Sequence, residues 1–305
     1  MSVLCRGPIP AALLLFGCSQ QSDPAGGSPL APNEIRAEVE SLDVVAGVVT
    51  AVPRTLGTGY PATSGLTVGS SATFRVEPGD FGYLAPGKIF RAALLEGEGE
   101  GGAAVLTRLW PDDPNYRVRF EHANRLLRRD TLGRGEDPTR SVGDYLPPFA
   151  LFDQDGNLLT NDFFVGKRTV VNFIFTRCSV ADMCPAATSR MKTLQNRALA
   201  DQVPDVQFLS ITLDPEHDVP GILKTYARAY GVDETTFRFG TGPKSVLDDL
   251  VRQFGLARRK SENMPLDHTM RTFVVNGRRQ IIYQVPGKQW SVDDFLARLK
   301  KPSEQ

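Results

Sequence analysis

Hydrophobic and polar positions fall into two regimes along the chain. From Leu42 to about Trp110 the apolar residues come in short β-rich runs, Leu42–Val52, Ala72–Val76, Ile89–Leu95 and Ala103–Leu109. Gly- and Pro-bearing turns such as Glu77-Pro78-Gly79-Asp80 and Ala85-Pro86-Gly87-Lys88 separate them. Such a stretch of roughly 70 residues predicts a small antiparallel barrel or sandwich. After Pro147-Pro148 the pattern changes. A hairpin with an Asp-Gly turn is expected across Phe149–Leu159, and Thr169–Phe175 is a continuous β-branched and aromatic run, the mark of a strand buried on both faces. Beyond it the pattern predicts helix 185–200, strand 206–213, helix 221–230, strand 236–239, helix 244–254, strands 271–276 and 280–284, and helix 292–300. Alternating strands and helices that close on an antiparallel hairpin describe a thioredoxin-like α/β fold with an added N-terminal hairpin.

Composition narrows the partners. Lys and Arg number 35 and Asp and Glu 35, so the net charge is zero and nucleic acid is excluded as the main partner, since phosphate backbones demand a basic surplus. The chain of 305 residues has no uninterrupted apolar run long enough for a transmembrane helix. It has a short one, Ile9–Phe16, that suits the core of a signal peptide over residues 1–17. Leu15-Phe16-Gly17-Cys18 resembles the lipobox of bacterial lipoproteins, which implies a lipid on Cys18, attachment to a membrane and a periplasm-facing place in the cell envelope. A polar tether over 18–40 follows, of a composition that packs no core. Residues 41–111 are read as the small β domain and 112–147 as a basic linker with a turn or two of helix near Asn124–Arg129. Residues 148–301 form the α/β domain and 302–305 a tail. The β domain faintly resembles small copper-binding barrels of the CusF type, yet residues 19–121 hold no His, Cys or Met, the soft ligands such a barrel needs.

Four Cys and three His are the stock for thiol or soft-metal chemistry. Signal cleavage removes Cys5 and lipid consumes Cys18, which leaves Cys178 and Cys184. They sit where the first buried strand ends, in Phe175-Thr176-Arg177-Cys178 and Met183-Cys184-Pro185. The carboxyl end of a central strand is where open α/β sheets place their sites. Pro185 suits the first position of a helix, which would put Cys184 at the N-cap. There the helix dipole, with Arg177 as a neighbouring cation, would lower the thiol pKa values and favour metal ligation or disulfide exchange. A structural disulfide is the plainer alternative for an exported protein. His217 and His122 read as surface residues, and Met191, Met264 and Met270 as core or loop fillers.

The stretch Asn172-Phe173-Ile174-Phe175-Thr176-Arg177-Cys178 with Cys184-Pro185 resembles the signature of the Sco/SenC family of thioredoxin-fold proteins, which deliver copper during cytochrome c oxidase assembly. Ser210-Ile211-Thr212-Leu213-Asp214-Pro215-Glu216-His217-Asp218 and Leu266-Asp267-His268-Thr269 resemble two further family segments. The resemblance covers about 145–300. It implies a copper site made by Cys178, Cys184 and His268, with Asp267 or Asp214 orienting the imidazole, and a copper-recipient oxidase subunit as partner. One feature departs from the family: five residues separate the cysteines here, where three is usual. Two extra loop residues cost only a few tenths of a kcal/mol in closure entropy, so a joint site stays feasible, and Met183 could add a thioether. The competing function is a thiol–disulfide oxidoreductase working through Cys178 and Cys184. The lack of Cys-x-x-Cys counts against it, and His268 favours copper.

Overall fold

The computed structural model describes residues 29–57, 65–95, 104–256, 258–259 and 267–301, with the backbone alone at 258–259 and 267–268. Strands β1 (Glu34–Asp43), β2 (Val48–Leu56), β3 (Ala72–Arg75), β4 (Ile89–Leu95) and β5 (Ala104–Pro111) close a barrel in the order β1-β2-β3-β5-β4. Alternate residues Ile35, Ala37 and Val39 of β1 point into its core beside Val49, Phe74, Phe90 and Leu106. The barrel is mixed rather than purely antiparallel, because β3 pairs with β5 in parallel across Phe74↔Ala104. The single run expected over Leu42–Val52 is two strands. Val44, Val45, Ala46 and Gly47 form the turn between them, and Val45 is fully exposed. An apolar turn hides its own boundary, and β1 upstream of Leu42 escaped the sequence pattern.

The connection is more ordered than a solvated linker. Helix α1 (Pro114–Gly133) is 20 residues long; Asp113 caps it by accepting from the Asn115 N–H at 2.9 Å, and Pro114 fills its first turn. It buries Leu127 and Thr131, pairs Arg128 with Asp249 at 2.8 Å, and exchanges two hydrogen bonds between the Asn124 side chain and the Ala150 backbone. Downstream, buried Arg140 donates to Gln253, Asp130 and the Tyr145 carbonyl. The positive charges of this region are therefore partly structural.

The α/β part follows the expected order closely. After the β6–β7 hairpin (Ala150–Phe152, Leu158–Thr160), five strands form a sheet in the order β10-β9-β8-β13-β14. Strands β8 (Arg168–Ile174), β9 (Val206–Thr212) and β10 (Phe237–Gly240) run parallel, while β13 (Arg271–Val275) is antiparallel to both β8 and β14 (Ile281–Pro286). Every residue of β8 is buried, as its continuous apolar run requires. Helices α2 (Cys184–Ala200), α3 (Pro220–Tyr230), α4 (Lys244–Gln253) and α5 (Val292–Lys300) cover the sheet, with α2 against α5 and α1 against α4. Two-residue strands β11 (Arg258–Arg259) and β12 (Asp267–His268) pair antiparallel as a separate two-stranded sheet. The Phe173, Phe254 and Phe273 rings pack together, the last two stacked at 4.9 Å. Among the described residues no helix is long and apolar enough to cross a membrane.

Barrel and α/β layer meet where the short 3-10 helix Asp80–Gly82 abuts the start of α3. Gly79 and Gly221 permit the approach: a Cβ on Gly79 would lie 1.8 Å from the Gly221 carbonyl oxygen, and one on Gly221 would lie 2.0 Å from Asp80 Oδ1. Burial pushes the Asp80 carboxyl up to about 7, against the lowering effect of the Glu77 N–H.

Candidate metal centre

Strand β8 carries the chain to the carboxyl end of the sheet. The Leu213 N–H closes on the Ile174 carbonyl at 2.7 Å, after which Phe175–Cys178 turn away with a Cys178 N–H to Phe175 O contact of 3.4 Å. A second turn, Met183 N–H to Val180 O at 3.0 Å, leads into α2. The Met183 carbonyl accepts from the Ala187 N–H at 2.8 Å, so Met183 is the N-cap and the helix begins at Cys184, one residue earlier than Pro185 implied. Neither cysteine is in a disulfide; Cys184 is fully buried and Cys178 is 9% exposed.

The two side chains meet. Burial pushes the Cys184 thiol up from its ordinary value; the Phe175 backbone N–H opposes the shift, and Cys178, as hydrogen-bond partner and as charge, adds to it together with Asp218. The thiolate expected from the helix terminus is thus outweighed at Cys184 by desolvation. Arg177 does not serve as the thiolate's cation either. Its guanidinium reaches Asp214 Oδ2 through Nη2 at 2.6 Å and Nε at 3.1 Å, so one oxygen of that carboxylate is engaged by Arg177.

A carboxylate that sequence reading did not single out organises the strand end. Asp218 is fully buried and accepts from the Thr176 N–H at 3.0 Å, Thr176 Oγ1 at 2.5 Å, Thr212 Oγ1 at 2.6 Å and His217 Nδ1 at 3.0 Å. His217, read as a surface residue, is half-buried in this cluster, its side chain 37% exposed. The Asp-Pro segment after β9 was the available signal, but it carries no mark of which acid turns inward. Met191 and Met270 are buried fillers, as expected, and His122 is exposed.

The matching family model is SCO1/SenC, over residues 137–303. This chain belongs to the SCO1/SenC family. It is 35% identical over 160 residues to the SCO1 protein homolog of Bacillus subtilis (strain 168), a match covering 51% of this chain and 81% of that one. It is also 32% identical over 111 residues to a Stutzerimonas stutzeri protein named as copper-binding, covering 36% and 52% of the two chains. Among solved structures it is similar to a SCO1/SenC family lipoprotein from Bacillus anthracis str. Ames, with 26% identity, a TM-score of 0.47, and coverage of 53% of this chain and 97% of that chain.

In this SCO1/SenC chain the side chains of His268 and Asp267 lie outside the described residues, as do Cys18, Met264 and the leader segment. Met183, beside Cys184, and Thr269, beside His268, line one cavity of about 420 Å³ with Met270, Pro286 and Gly287. The Lys288–Asp182 ion pair and the Arg190 bond to the Lys288 carbonyl at 2.6 Å tie the cysteine loop to the segment after β14.

Proposed function

We propose that this protein binds copper through Cys178, Cys184 and His268 and passes it to a respiratory cytochrome c oxidase, held at the bacterial cell envelope by lipid on Cys18. The observation that carries the reading is the pair of buried thiols, not joined in a disulfide and in mutual contact, at the carboxyl end of β8. Two sulfurs and an imidazole suit Cu(I), a soft ion content with three ligands. Family membership and the copper-binding name of the Stutzerimonas relative support the same cargo. Copper here is cargo, and the chain's own part is to hold and orient it. Asp218 fixes the strand end from which Cys178 turns, and α2 presents Cys184.

In the oxidoreductase reading the attack would fall to Cys178, because Cys184 is enclosed and its thiol pushed upward. A metal ion neutralises thiolate charge in place, so burial does not oppose ligation in the same way. Anaerobic titration of the reduced full-length protein with Cu(I) tests the reading. One equivalent is expected to bind, and Cys178→Ser and Cys184→Ser should each abolish tight binding. Turnover of an insulin disulfide without copper uptake would overturn it.

A further inference from the structure

Both thiols are buried, so copper arriving from solvent, carried by another ligand, meets neither directly. His217 stands at the rim of the same strand end. Its Nδ1 lies 3.0 Å from Asp218 Oδ1 and 3.5 Å from Thr176 Oγ1, and Thr176 is two residues before Cys178. A carboxylate only accepts, so in the neutral ring the Nδ1 carries the proton and the lone pair lies on Nε2. Nε2 has no hydrogen-bond partner among the described residues. An imidazole held at Nδ1 by a carboxylate, which leaves the Nε2 lone pair for a ligand, is the arrangement that orients metal-ligating histidines.

We infer that His217 is an entry ligand for copper, a donor outside the Cys178, Cys184 and His268 set, which captures Cu(I) on Nε2 and releases it inward to the thiols. The inference rests on the copper reading above. In the transfer a Cu–N bond forms at Nε2 as the incoming carrier ligand leaves. Cu–S bonds then form as Cys178 and Cys184 give their protons to buffer, and the Cu–Nε2 bond breaks. Copper stays Cu(I) throughout, so no oxidant or reductant is required.

The test is stopped-flow exchange of Cu(I) between its bathocuproine disulfonate complex and the reduced full-length protein, for wild type, His217→Ala and His217→Gln, with thermal melts of each. Loading and release should both slow about tenfold or more in the two variants, with one copper still bound at equilibrium; each should still melt cooperatively, His217→Ala at a lower temperature because it gives up the bond to Asp218. Rates indistinguishable from wild type overturn the inference and leave the copper reading standing. Recovery of the rate in His217→Gln, which can keep a hydrogen bond to Asp218 but has no imidazole nitrogen, assigns the effect to packing and overturns it too. Loss of stoichiometric binding in both variants makes His217 a resident ligand and overturns the transient role. A wild-type protein that takes no copper removes the reading beneath it, and this inference with it.

Discussion

Replacing Asp218 by Asn probes the carboxylate on which the cysteine-bearing turn hangs. In the native chain its two oxygens accept four hydrogen bonds, from the Thr176 N–H, the Thr176 and Thr212 hydroxyls and the His217 ring. Asn keeps one oxygen, so the least damaging rotamer leaves that oxygen facing the Thr176 N–H and Thr212. The new NH2 then occupies the other site, where the Thr176 hydroxyl can reverse and accept, and the His217 ring can accept at Nδ1 only by moving its proton to Nε2. All four bonds lose their charge assistance. At about 1.5–3 kcal/mol for a bond to a charged group against about 0.5–1.5 kcal/mol for a neutral one, the cost is about 2–4 kcal/mol. Asp218→Ala should cost more, because it also strands the Thr176 N–H and opens a cavity. Urea unfolding of the reduced full-length protein measures this. Amide exchange at Thr176 should accelerate, and in a double-mutant cycle Thr176→Val should be strongly coupled to Asp218→Asn. A loss below about 0.5 kcal/mol in Asp218→Asn would refute the organising role given to this carboxylate.

Asp80 gives a pH signature of opposite sense to an ordinary salt-bridged acid: its folded value of about 7 lies above the unfolded value near 3.8, so its stabilising contribution is intact below about 3.8 and is lost as pH rises through 7. Asp80→Asn should therefore match wild type in denaturant melts near pH 4 and exceed it above pH 8, by as much as about 4 kcal/mol. Gly221→Ala places a methyl group 2.0 Å from Asp80 Oδ1 and 2.9 Å from the Asp80 backbone nitrogen, so it should destabilise the seam by about 1–3 kcal/mol and raise protease cleavage near Asp80. Leu127→Ala, at a fully buried position of α1, should cost about 2–5 kcal/mol and lower the melting temperature.

What was legible in the sequence follows from how local each signal is. The buried run Thr169–Phe175 and Pro185 place a strand, a turn and a helix start within a residue or two, and both cysteines fall at that junction. Helix α1 was expected only as a turn or two near Asn124–Arg129, and its start at Asp113-Pro114 was not anticipated. It hid its length because only Leu127 and Thr131 are fully buried, and the rest of its packing runs through Arg128 and Asn124. The pairing of Asp218 with Thr176 spans 42 residues, and only the β8–β9 register brings it about. The exchange of roles at Arg177, from thiolate neighbour to partner of Asp214, is likewise tertiary. The thiol shift at Cys184 was missed because helix-terminus reasoning counts dipole and charge, whereas full burial decides the sign.

The central claim is a copper site built by Cys178, Cys184 and His268, and X-ray absorption on the one-to-one Cu(I) protein tests it most directly. Two sulfur scatterers and one nitrogen are expected, with the nitrogen lost in His268→Ala and both sulfurs retained. A copper shell of nitrogen and oxygen alone, or one unchanged by His268→Ala, would contradict it.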